Sequence, residues 1–268
     1  VLQLKLCSST GAHRAPLVSL FDTNVHLGTW PFSFLPDFTA PRLAVHLAAR
    51  GINRAVVSPL GAVLAPDPLP ANRALFAALR RTPALLPLPV VNPALAHWRA
   101  QLDAVAASPL RAVKLIPSFH NYRLESPRLA PFFAELAARG LKLVIETRLE
   151  DDRHRYHGLS VKSLTANQVA PFLRRYPDLH PLVLGLGLPE LRELAKTKLT
   201  HFSFDTSFVE WIDSVETLAR EFGADRVMFG SHTPFLVTDA SAAKLTTAQL
   251  DARARRALSS ANAERFFG

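Results

Sequence analysis

The chain has 268 residues, 49% of them hydrophobic and 20% charged, which is enough apolar material for one large core and a length normal for a single barrel domain. Its net charge of +9, from 31 Lys+Arg against 22 Asp+Glu, is not gathered into basic runs interleaved with aromatics, so nucleic acid is not an expected partner, and the stretch 253–256 reads as a solvated helical face. The one cysteine, Cys7, rules out an internal disulfide, and no apolar run approaches the roughly 20 residues of a bilayer span, so a cytoplasmic protein without membrane contact is expected.

Eight short apolar runs follow one another along the chain: 17–22, 54–58, 85–91, 112–116, 141–147, 181–185, 202–205 and 226–230. Each has the length and composition of a parallel strand covered on both faces. Residues 1–16 precede them as an N-terminal extension without the basic start of a signal peptide. Amphipathic segments at 41–50, 70–81, 94–107, 127–139 and 188–198 fill the crossovers, the first and fourth closed by Gly51 and Gly140. Thr165 with Gln168 and Thr246 with Gln249 have capping-box spacing, and Asp213 with Glu216 is a looser version. Strand and helix alternating eight times predicts a single (β/α)8 TIM barrel, an α/β fold filling one domain. A doubly wound sheet would want a glycine-rich turn after the first strand, and residues 20–30 supply none. The long irregular stretches 27–39 and 148–164 follow strands, which places them at the catalytic face of such a barrel.

Four segments carry a family resemblance. They are Asp22 with Asn24, Val25, His26 and Gly28; Lys114, Leu115, Ile116 and Pro117 followed by Tyr122; the stretch 222–234, ending Phe229-Gly230-Ser231-His232-Thr233-Pro234; and the terminal 262–268. Together they resemble the amidohydrolase-related family that includes aminocarboxymuconate-semialdehyde decarboxylase and pyrone-dicarboxylate lactonase. That resemblance implies a TIM barrel that hydrolyses a lactone or amide, or decarboxylates, a small carboxylated substrate. It also implies a divalent metal held by a His-x-His pair on the first strand, a histidine after the fifth and an aspartate on the eighth. Here those positions carry Asn24 and His26, Glu146, and His232. The chain is also similar to a divergent branch of the family with altered ligands, through Asn24, Trp30-Pro31-Phe32, the acidic–arginine–histidine loop at 149–154 and the run 230–235.

The candidate catalytic residues are therefore His26, His232 and Glu146. Asn24, Lys114, Arg148, His120, Tyr122, Asp205 and Trp30 are candidates for substrate binding. His26, Glu146 and His232 form a two-histidine, one-carboxylate ligand set. Arg148, two residues after Glu146 and so on the same strand face, would oppose a dication. The expectation is no tightly bound metal, or at most a weakly bound zinc or manganese ion, with His26 and His232 titrating near neutral pH. Glu146 has two candidate ion-pair partners, Lys114 and Arg148. Asp205 could reach across the mouth, and the loop 150–157, with His154 and His157, reads as a solvated mixed-charge surface. The expected partner is a small anionic substrate, and a homo-oligomer stays open. The alternative is a metal-free, non-catalytic barrel that binds a small ligand or a protein.

Overall fold

The computed structural model describes residues 19–105, 108–151, 153, 156, 158–159, 161–211 and 213–268. The N-terminal extension with Cys7, and the loop residues Asp152, His154 and His157, lie outside the described residues. Among the described residues there are eight parallel strands: β1 (Leu20–Leu27), β2 (Ile52–Pro59), β3 (Leu85–Pro87), β4 (Ala112–Leu115), β5 (Lys142–Glu146), β6 (Leu182–Leu184), β7 (Ser203–Asp205) and β8 (Val227–Met228). They pair in sequence order as β1-β2-β3 and β4-β5-β6-β7-β8. Parallel bridges Val90–Lys114 and Val25–Thr233 join the two groups at both seams, so the eight expected strands form the (β/α)8 barrel.

The differences from the expected boundaries have local causes. β3 stops at Pro87 because Pro87 and Pro89 have no N–H for a ladder, although Leu88 still donates to the Val57 carbonyl and Lys114 to that of Pro89. β1 runs past residue 22 to Leu27 through a register shift between Asp22 and Val25, and that extension carries Asn24 and His26 to the mouth. Helices α1 (Ala40–Ala48), α2 (Leu69–Leu79), α3 (Trp98–Val105), α4 (Ala130–Ala138), α5 (Ala166–Arg175), α6 (Leu188–Lys196), α7 (Ser214–Leu218), α8 (Thr238–Thr247), α9 (Ala252–Arg256) and α10 (Asn262–Phe267) complete the chain.

Thr165 precedes α5 as expected, its N–H donating to Gln168 Oε1 at 2.9 Å. The Thr246–Gln249 box is not formed. Thr246 lies inside α8 with its hydroxyl on the Ala243 carbonyl, and the next helix is capped by Asp251, whose carboxylate accepts from Ala254 N at 2.7 Å. A carboxylate is the stronger acceptor for the free N–H groups of a helix start. Asp213 precedes α7 with φ 55° and no side-chain cap.

Side chains alternate along the strands. On β4 and β5, Val113, Leu115, Leu143 and Ile145 face outward into the core shared with Phe132, Phe133 and Leu136 of α4. Ala112 and Val144 belong to the inner cluster with Phe21, Val56, Leu182 and Met228, closed by Phe267 at 6.2 Å from the Phe21 ring. Two residues further along those inward faces come Lys114 and Glu146. The inner apolar layer thus fills the lower barrel and leaves the charged residues at the C-terminal ends of the strands, where barrel enzymes carry their chemistry.

Candidate active site

Four buried polar side chains converge at the mouth: His26 from β1, Lys114 from β4, Glu146 from the end of β5 and His232 after β8, each exposing 1% or less of its surface. Lys114 Nζ lies 2.6 Å from Glu146 Oε2 and donates to His26 Nε2 at 3.0 Å. His26 Nε2 is 3.6 Å from the same carboxylate oxygen. The His26 and His232 rings meet edge to face with centroids 5.0 Å apart. Phe235 packs on both rings, Phe208 on His232.

The two imidazoles are complementary tautomers. An ammonium only donates, so His26 Nε2 must accept from Lys114 and the ring proton sits on Nδ1. His232 Nε2 faces the Leu149 carbonyl at 2.6 Å; a carbonyl only accepts, so Nε2 carries the proton and Nδ1 the lone pair. Both Nδ1 atoms are buried without a partner. One ring therefore offers a free N–H and the other a free basic nitrogen.

Electrostatics keep both rings neutral. Burial, with the Lys114 charge, lowers His26 to about 3. Burial also lowers His232, against the pull of Glu146. The expectation of titration near neutral pH is thus corrected: desolvation outweighs the single carboxylate, which is already neutralised by Lys114. For Glu146, burial alone would raise the carboxyl, but the Lys114 charge holds it down at about 2.

Arg148 is not the partner of Glu146. β5 ends at Glu146, so the same-face rule no longer applies, and Arg148 turns to Glu190 on α6 at 2.7 Å and stacks on Phe208. Asn24, at the first-histidine position, donates Nδ2 to Asp205 Oδ2 at 3.0 Å. Asp205 Oδ1 accepts from Gly185 N at 2.9 Å, so both its oxygens are engaged beneath the cluster. Trp30 is buried and donates to Glu150 Oε1 at 2.8 Å; its ring meets Phe235 and so walls the histidines. His120 bonds the Ala62 carbonyl and Tyr122 leaves its hydroxyl buried and unpartnered. Among the described residues, no hydrogen bond or ring contact joins either to His26, Glu146 or His232.

Sequence reasoning missed several participants. Asp22 Oδ1 accepts from Asn24 N and Ser231 N, both at 3.0 Å, tying β1 to β8. Burial raises Asp22 to about 7 despite those bonds. Its place at the head of the motif with Asn24 and His26 was the available signal. Phe235 and Leu149 lay within the stretches 230–235 and 149–154 that carry the resemblance, but their approach to the histidines, like that of Phe208, depends on loop paths. Lys244 of α8 was also missed; it donates to the carbonyls of Thr206, Ser207 and Val209 and fixes the loop that carries Phe208. The cavity beside Glu146, also lined by Ile116, Phe119, Arg148 and Leu149, has a volume of about 20 Å³, room for about one water.

His26, Glu146 and His232 place ligand-type atoms within 4.8 Å of one another, a donor set that could hold a divalent ion. Lys114 already stands among those donors, 2.6 and 3.0 Å from two of them.

Residues 21–268 match the family model described as Amidohydrolase. No curated protein sequence matches the chain. Among solved structures, the 5-carboxyvanillate decarboxylase of Sphingomonas paucimobilis superposes with a TM-score of 0.72 at 16% identity, covering 93% of this chain and 99% of that one. A 5-carboxyvanillate decarboxylase from Novosphingobium aromaticivorans, complexed with manganese and 4-hydroxy-3-methoxy-5-nitrobenzoic acid, gives 0.72 at 16% over 92% and 95%. A probable 2-pyrone-4,6-dicarboxylic acid hydrolase from Acinetobacter baumannii, with citric acid bound, gives 0.65 at 12% over 93% and 99%. At these identities the likeness is one of fold.

Proposed function

The chain belongs to the amidohydrolase family, and from that premise we propose that it is an enzyme acting on a small carboxylated molecule, by lactone or amide hydrolysis or by decarboxylation. The observation that carries the reading is the buried cluster of His26, Lys114, Glu146 and His232 at the C-terminal ends of the strands. A buried, paired lysine and two neutral imidazoles with free nitrogens are costly to fold around, and at this face of the barrel such a cost fits chemistry better than packing. Solved proteins of the same fold act on carboxylated aromatic and pyrone acids, which supports the substrate class.

In this reading His232 Nδ1 accepts a proton from the reacting water or substrate, and His26 Nδ1–H donates one. The Glu146 carboxylate holds Lys114 in place. Lys114 is ion-paired with Glu146 and bonded to His26 Nε2, and in this reading its ammonium also offers an N–H to a substrate oxygen. The Leu149 carbonyl, by accepting from His232 Nε2–H, holds Nδ1 as the basic nitrogen. No step is assigned to a metal ion.

The test is turnover of a panel of lactones, cyclic carboxylates and aromatic acids. Saturable activity that disappears in His232→Ala, while the variant keeps its fold by circular dichroism, is the expected result. No turnover across the panel, with and without added Mn2+ or Zn2+, removes the enzyme reading. A second reading then gains weight: a barrel that binds a small ligand without reaction. The locking of Glu146 onto Lys114 and the water-sized cavity favour it, and it predicts saturable binding of a carboxylate with no product.

A further inference from the structure

We infer that the Lys114 ammonium takes the place of a divalent ion in this barrel, so that the cluster of His26, Glu146 and His232 is built around a cation belonging to the chain itself. A zinc or manganese ion ligated by Glu146 Oε2 and His26 Nε2 would sit about 2.1 Å from each atom. Those two atoms are 3.6 Å apart, and Lys114 Nζ lies 2.6 and 3.0 Å from them. Wherever the ion is placed on the circle those bonds allow, it comes within about 3 Å of Nζ, too close for an ammonium and a dication in a buried site. The lysine and an ion held by that pair of atoms are therefore alternatives.

The lysine also satisfies what an ion would. It neutralises the Glu146 charge and supplies a donor to the lone pair of His26 Nε2, the two demands that make this cluster compatible with burial. Its position is fixed by the sheet, since Lys114 follows Ala112 on the inward face of β4 and pairs in register with Val144. The stem is fully buried, so no exposed conformation is at hand to vacate the space. At the expected ligand positions, Asn24 donates its Nδ2 to Asp205, and His232 donates Nε2–H to the Leu149 carbonyl, which leaves Nδ1 as its one free lone pair.

The experiment measures Mn2+ binding directly, without substrate, so it stands whether or not the chain turns anything over. Purified wild-type protein is dialysed against a chelator, analysed for metals, and titrated with MnCl2 by calorimetry. Lys114→Met and Lys114→Gln are treated in parallel, the second keeping an amide donor for Glu146 without the charge. The expected result is no retained metal in the wild type. Either variant should bind one Mn2+ at least ~10- to 100-fold more tightly, and the gain should be lost when Glu146→Gln is added. If neither variant folds alone, Mn2+ is expected to restore the fold during refolding. One equivalent of Mn, Zn or Fe retained by the wild type overturns the inference. So do folded variants that bind Mn2+ no better than the wild type, or unfolded variants that Mn2+ does not rescue.

Discussion

Replacing Lys114 with methionine should destabilise the fold by about 3 kcal/mol at pH 7. The figure comes from Glu146. Its carboxyl is held at about 2 against an ordinary 4.5, with burial opposing and the Lys114 charge leading the depression. At 1.36 kcal/mol per pH unit that difference is worth about 3 kcal/mol. It agrees with the roughly 3–5 kcal/mol cost of removing one partner from a buried ion pair. Methionine keeps most of the volume, so a cavity adds little. The sign with pH is also fixed. A depressed carboxyl contributes stability that is present above the unfolded value of 4.5 and is lost as pH falls from 4.5 toward 2. The gap between wild type and Lys114→Met should therefore be widest near neutrality and shrink below pH 4.5. Adding Glu146→Gln to Lys114→Met should recover most of the loss, because the uncompensated charge is gone. Guanidinium denaturation at pH 7 and pH 4, with both single variants and the double variant, reads all of this. A loss below about 1 kcal/mol at pH 7, or a double variant no more stable than Lys114→Met, would refute the buried-pair account.

Two further outcomes follow from the same geometry. Asp22 is raised from 3.8 to about 7, burial being the largest cause, so it holds a proton in the fold that it loses when unfolded. Its contribution is fully present below pH 3.8 and declines as pH rises to 7. Asp22→Asn lacks that decline, so its stability relative to wild type should rise by up to about 4 kcal/mol between pH 4 and pH 8; a difference that stays flat with pH in urea denaturation would show Asp22 to be ionised in the fold. At Gly230 an added Cβ would lie 2.4 Å from Asp205 Oδ2 and 2.9 Å from Asp205 Cβ. Asp205 is held by Asn24 and Gly185 and has nowhere to move, so Gly230→Ala should cost about 2 kcal/mol or more, and a loss under 0.5 kcal/mol in chemical denaturation would contradict the packing described.

The barrel was legible in the sequence because its signal is local and repeated. Each strand is a short apolar run, each crossover an amphipathic one, and residues such as Gly51 and Gly140 mark where helices stop. The family motifs also singled out Lys114 and Glu146 on neighbouring strands, and the motif around Asn24 and His26 marked the first strand as a candidate wall of the site. The choice of partner was not legible. Spacing put Arg148 on the face of Glu146, yet the strand ends at Glu146 and the arginine leaves for Glu190, while Lys114 arrives from the neighbouring strand. Neutral histidines were equally out of reach, because their protonation follows from complete burial and from a cation that only the closed barrel brings within 3.0 Å of His26. Capping at Thr246 failed for a similar reason: the box spacing was present, but the helix start was set by Asp251. Composition and periodicity determine which face of an element is buried; which charges meet inside depends on strand register and loop paths, and those are fixed by the packing of the whole barrel.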